Sequence, residues 1–116
     1  MISKELLKGS LKSIVLKLLS ETPRMYGYEI TQKVEEISGG EIKLTFGALY
    51  PILHKLESDG AVTTESEVVN SRARIYYKLT AKGKSTAQEK IEELKAFIDM
   101  VNILMKPGLN VQPCAV

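Results

Sequence analysis

The chain has one histidine, His54, and one cysteine, Cys114. A lone imidazole and a distant thiol do not make a nucleophile and its base. No glycine-rich phosphate loop replaces them. A single cysteine forms no intramolecular disulfide, and no cluster has the spacing of a metal site. No catalytic residue, metal or cofactor is therefore expected, and the chemistry left to the side chains is recognition. It gathers around His54 in LTFGALYPILHKLESDG, from Leu44 to Gly60. Hydroxyl, imidazole and ammonium groups recur there at helical spacing, the equipment for contacting base edges and phosphates.

That stretch must be a helix for the spacing to matter. Leu49, Ile52, Leu53 and Leu56 fall at i, i+3, i+4 and i+7 and form one apolar stripe. Gly47, Pro51, His54 and Ser58 lie opposite it, flanked by Tyr50 and Lys55. A merely solvated face would carry Glu–Lys pairs one turn apart. This face is short and sparsely charged, so backbone can come close to another surface, as in a helix entering a DNA major groove. The plainer reading is that Gly47 and Pro51 mark the helix start, with Thr45 or Gly47 as N-cap.

The remaining elements can be read from their punctuation. Ser10 can cap a helix with Leu11, Ile14, Val15, Leu18 and Leu19 inward, ending before Thr22 and Pro23. Residues 1–9 read as an arm or an extra turn. A second helix from about Tyr26 buries Ile30, Val34 and Ile37 and stops at Gly39 and Gly40. Ile42 and Leu44 alternate with charged residues, enough for a short edge strand. After the helix around His54, Val62–Val69 and Arg74–Leu79 read as strands joined by a turn of Asn70, Ser71, Arg72 and Ala73. Three helices followed by a hairpin is the order of a winged helix-turn-helix, a mainly α fold with a β-hairpin wing (α+β).

Charge supports that order. Net charge is only +2, but residues 72–84 carry Arg72, Arg74, Lys78, Lys82 and Lys84 without an acid. Residues 1–17 carry four lysines against Glu5. These basic segments flank a net acidic middle, and one of them falls on the wing, where guanidinium groups can grip phosphates. The N-terminal apolar residues never form the continuous run of a signal peptide or membrane span. A soluble, cytoplasmic and nucleoid-associated protein with no membrane partner is expected.

After Thr80, a last helix is expected to run to about Lys106, before Pro107 and Gly108. Ala87, Ile91, Leu94, Ile98, Val101 and Met105 step by 4, 3, 4, 3 and 4, a heptad seam that Phe97 and Leu104 widen. It suits packing on a second copy of the chain, a homodimer, although a monomer could bury it on its own first helix. At 116 residues the expected organisation is a winged-helix domain over 1–80, a dimerisation helix over 81–106 and a flexible tail over 107–116.

"YGYEI" at Tyr26–Ile30, "GALYPILHKLESDG" at Gly47–Gly60 and "RIYYKLTAKG" at Arg74–Gly83 resemble, in order and spacing, the signatures of the PadR family of transcriptional regulators. The resemblance covers about residues 5–105. It implies a ligand-responsive repressor of the short type with a single C-terminal helix, acting as a homodimer on an inverted-repeat operator in double-stranded DNA. Carried onto this chain, it puts Tyr28, Thr45, Tyr50, His54 and Lys55 toward DNA, with Arg72 and Arg74 on the wing. The chain departs from the pattern at Ala48, where a Thr or Ser is expected, and it has no tryptophan on which a flat ligand could stack. A small apolar or aromatic effector is expected between the last and first helices, near Leu11, Val15, Leu94, Phe97 and Ile98. Met100 and Met105 there adapt to irregular shapes. A winged-helix protein-interaction module without operator binding is the rival expectation.

Overall fold

A computed structural model describes residues 1–108. Its elements are α1 (Lys4–Lys8), α2 (Leu11–Glu21), β1 (Met25–Tyr26), α3 (Gly27–Ile37), α4 (Phe46–Ser58), β2 (Val62–Val69), β3 (Arg72–Leu79) and α5 (Ala81–Leu104). Helices α2, α3 and α4 and an antiparallel sheet of order β1-β3-β2 make a winged helix. The loose tail expected from Pro107 lies mostly outside the described residues.

One core joins every layer. Val15 and Leu16 of α2, Ile30 of α3, and Leu49, Leu53 and Leu56 of α4 are fully buried, and Val62, Tyr77 and Leu79 close the core from the sheet. Leu16 was not expected inward. It takes the place assigned to Ile14 and Leu18, which are only partly buried. Residues 1–9 contain the helix α1, which docks through Leu7. Ser10 stands at the N-cap of α2, but its hydroxyl donates to the Leu7 carbonyl and caps nothing.

Three further expectations are corrected. Ile37 is exposed, because the periodic pattern of α3 runs one turn past the surface it packs on. Ile42 and Leu44 form no strand. The third strand is Met25–Tyr26, whose residues pair with Tyr77 and Tyr76 of β3. The hairpin turn is only Asn70 and Ser71, with φ of 51° and 62°. Positive φ at both central residues is the two-residue turn that matches strand twist, so Arg72 and Ala73 already belong to β3, opposite Val69 and Val68.

Helix α5 starts as expected, with the Thr80 hydroxyl accepting from the Gly83 N–H. It ends at Leu104, two residues short of the expected Lys106. Its first half belongs to the winged-helix core, with Ala87 buried, while Phe97, Ile98, Met100 and Leu104 are exposed further on.

Candidate nucleic-acid interface

Helix α4 is built as its pattern dictates. The Thr45 hydroxyl caps it by accepting from the Ala48 N–H. Its buried stripe points into the core, and Thr45, Gly47, Ala48, Pro51, His54, Lys55 and Ser58 are all exposed on the other side. Pro51 sits in the second turn. Without an N–H, it leaves the Gly47 carbonyl with no i+4 donor. That is tolerable because both residues are on the exposed side. A Cβ at Gly47 would meet only the Thr45 hydroxyl at 3.9 Å, so the glycine leaves the front of the helix bare rather than filling a tight contact.

Tyr50 is placed differently from its neighbours. It is partly buried, 5.7 Å from the Phe46 ring and 6.0 Å from the His54 ring between centroids, with its hydroxyl over Gly27. A Cβ at Gly27 would lie 2.5 Å from that hydroxyl and 2.9 Å from the ring carbon bearing it. Tyr50 therefore locks α4 onto the start of α3, and its expected DNA contact is limited to what its ring edge leaves open. Gly27→Ala is expected to destabilise the fold by about 1–3 kcal/mol. A shorter side chain should relieve part of that cost, so in a thermal-unfolding double-mutant cycle Gly27→Ala and Tyr50→Phe should lose less together than their separate costs add to.

The face beside Tyr28 is an aromatic and cationic ladder that the sequence reading missed. Exposed Tyr28 stacks on Tyr26 at 6.5 Å between centroids, and Tyr26 meets Tyr76 edge-on at 5.4 Å. The Arg74 guanidinium covers the Tyr26 ring at 4.5 Å, and that of Arg24 covers Tyr76 at 3.8 Å. Arg24 also pairs with Glu65, at 3.0 Å, and with Glu67. Lys78 reaches Glu65 at 3.4 Å. The Arg24 hydrogen bond holds the Glu65 carboxyl below its usual range, with Lys78 assisting against a partial desolvation. A depressed folded value means the pair contributes above the unfolded carboxylate range and is lost as pH falls through the folded one. The wing is thus less basic than its β3 strand alone suggests. Arg72 at the tip and Arg74 on the ladder are the wing's cations without a carboxylate partner among the described residues.

The residues expected at a dimer interface divide. Ala87 is buried inside the protomer and Ile91 and Leu94 are half-buried, whereas Phe97, Ile98 and Met105 are exposed beside a half-buried Val101. The candidate effector residues divide too. Leu11 and Val15 are core. The groove between α2, α3 and α5, about 440 Å³, is lined instead by Ile14, Leu18, Val34, Ile91, Leu94 and Ile98, while Phe97 borders a separate groove with Leu6. Among the described residues no group of three or more His, Cys, Asp or Glu could hold a metal ion, and no helix is long and apolar enough to cross a membrane.

Comparison with known proteins places this geometry. Residues 15–89 match the transcriptional regulator PadR-like family. A transcriptional regulator of Mycobacterium tuberculosis is 38% identical over 65 residues, 56% of this chain and 58% of its own. The structure of a transcriptional regulator from Clostridium thermocellum superposes with a TM-score of 0.79 at 25% identity, covering 89% of this chain and 100% of that one. That of a PadR family regulator from Eggerthella lenta does so at 0.71 and 29%, covering 90% and 85%.

Proposed function

The chain belongs to the PadR-like family of transcriptional regulators, and we propose that it is a homodimeric repressor that reads an inverted-repeat operator with α4 and is released by a small apolar or aromatic effector. The observation that carries the DNA contact is the exposed side of α4. Gly47, Ala48 and Pro51 leave its front bare, and His54 and Lys55 stand behind with no core role. A helix so trimmed fits a major groove, and the wing that follows it in the chain meets the backbone alongside.

Selection of bound duplexes from random DNA at moderate salt tests this reading. An inverted repeat with half-sites about one helical turn, ~34 Å, apart is expected; enrichment of no sequence overturns it. With the selected duplex, Arg72→Ala and Arg74→Ala should weaken binding to all sequences alike and lower the slope of log affinity against log salt by about one each. His54→Ala should also shift sequence preference. Equal losses at all three positions with unchanged slopes would refute that division of labour.

The effector reading rests on the groove between α2, α3 and α5, an apolar space of about 440 Å³ within the range of small-ligand sites. It borders the part of α5 that would meet a partner, so an occupant could change the angle between protomers. A ligand acts only through differential affinity for two dimer shapes, and coupling of ~1–3 kcal/mol changes operator affinity about 5- to 150-fold. Flat aromatic compounds titrated during fluorescence anisotropy of operator binding are expected to lower that affinity. Compounds that bind the protein and leave it untouched refute the idea, because linkage runs both ways.

A further inference from the structure

The DNA reading of α4 leaves one charged feature unused, the lysine-rich N-terminal segment. We infer that Lys4 and Lys8 of α1, with Lys43 from the segment before α4, form a second backbone-binding ledge that holds phosphates beside the groove α4 enters. This inference rests on the DNA reading above.

Lys4, Lys8 and Lys43 line a single groove of about 580 Å³ together with Thr45, Gly47 and Ala48, the cap and first turn of α4, and the apolar Leu7, Leu11, Leu44 and Ile52. Lys4 and Lys8 are one turn apart on α1, so they project from the same side. Leu7, between them on the same face, is buried and docks α1 on the core, which fixes where the two lysines stand.

Pairing shows why these cations are available. Lys17 is tied to Glu21, Arg24 to Glu65 and Glu67, Lys55 to Asp59 at 3.3 Å, and Lys78 to Glu65. Lys4 and Lys8 have no carboxylate within ion-pair distance among the described residues, and Lys43 reaches Glu35 only at 4.0 Å. Of the nearby acids, Glu41 is taken by the N-terminal ammonium at 2.9 Å, and Glu5 does not line the groove. Lys12, Lys33, Lys82, Lys84, Lys95 and Lys106 also lack an ion pair among the described residues, but Lys4, Lys8 and Lys43 are the lysines that line the groove reaching the first turn of α4, while Arg72 and Arg74 lie on the hairpin that follows its C-terminal end. An exposed charge without a partner loses little solvation on meeting a phosphate and releases a counterion from DNA. The α4 face carries few charges of its own, so backbone grip must come from these flanks.

The test is the triple variant Lys4→Ala, Lys8→Ala, Lys43→Ala. All three residues are exposed, and circular dichroism would confirm the fold. Affinity for the selected operator and for a mixed-sequence duplex is measured by anisotropy across a salt series. The expected result is a salt slope lower by roughly two to three per protomer, at about 0.9 per phosphate. Affinity should fall by the same factor on both duplexes, and the corresponding triple arginine variant should keep the wild-type slope. A wild-type slope in the alanine variant overturns the ledge and leaves the α4 reading standing. So does an arginine variant as impaired as the alanine one, since charge would then not be what acts. If wild-type protein binds neither duplex, the DNA reading falls and the ledge with it.

Discussion

Ile98→Asp is expected to convert the proposed homodimer to monomer at micromolar concentration and to lower operator affinity by at least about a hundredfold. Helix α5 has 24 residues, about 36 Å at 1.5 Å per residue, and only its first half finds cover within the protomer. Beyond Leu94, two adjacent stripes stay open. One is Phe97, Met100 and Leu104; the other is Ile98 and Met105 beside a half-buried Val101, with Ile98 48% exposed and Phe97 64% exposed. An apolar patch that long on a folded chain marks an interaction surface. The heptad spacing suits a second α5, and two-fold symmetry then places every interface residue there twice. Ile98→Asp would bury two carboxylates with no partner, at several kcal/mol per ion, where each 1.4 kcal/mol is a factor of ten in dissociation constant. A monomer binding one half-site loses the roughly 10²- to 10⁴-fold gain that linking two sites supplies. Light scattering and operator titration check both consequences, and circular dichroism should show the winged-helix domain intact because Ile98 lies outside its core. Wild-type protein that scatters as a monomer at that concentration would remove the basis of the proposal.

The elements legible in the sequence are those that carry their own period. Helix α4 and strand β2 lie where the spacing of Leu49, Leu53 and Leu56 and the run from Val62 put them, because each shows the core a regular face. Strand β1 has two residues and exists only because Tyr76 and Tyr77, about fifty residues on, offer it hydrogen bonds; no local pattern marks it. Ile37 was misread for the opposite reason, since periodicity shows which face a residue is on but not whether the neighbouring element extends that far. At the candidate site, the exposed face of α4 was visible because it is a property of one helix. The pairing of Arg24 with Glu65 and Glu67 was not, because it joins residues more than forty apart. Counting charges along β3 therefore overstated the wing's basicity. Leu11 and Val15, expected near an effector, are buried in the core and do not line the groove between α2, α3 and α5, because spacing put them on α2 but could not show which side of it the rest of the core would claim.

Gly83 shows how one long-range contact can give a signature residue its reason. Within RIYYKLTAKG it reads as a glycine in the first turn of a helix, where Ala would ordinarily gain up to about 1 kcal/mol. In the structure its N–H donates to the Thr80 hydroxyl at 3.0 Å, and the Thr80 N–H donates to the Ala61 carbonyl at 3.0 Å. The start of α5 is thus drawn directly onto the backbone that enters β2. A Cβ at Gly83 would lie 2.8 Å from the Ala61 carbonyl carbon, closer still to its oxygen, and 3.1 Å from a Leu79 methyl. No side-chain rotation relieves a clash with backbone. Either α5 lifts away, uncovering Ala87 and Ile91, or the Ala61 carbonyl moves and weakens the Thr80 bonds. Overpacking of this kind outweighs the gain in helix propensity, so Gly83→Ala is expected to destabilise the fold by about 2–4 kcal/mol, lowering Tm by roughly 8–16 °C at ~4 °C per kcal/mol for a domain of this size. Lys82→Ala, one residue earlier and exposed, removes only a lysine that donates to the Asp59 carbonyl at 2.6 Å and should shift Tm by no more than a degree or two. Thermal unfolding of the two variants side by side separates the steric claim from a general sensitivity of this turn, and equal small losses would show that α5 can shift without cost.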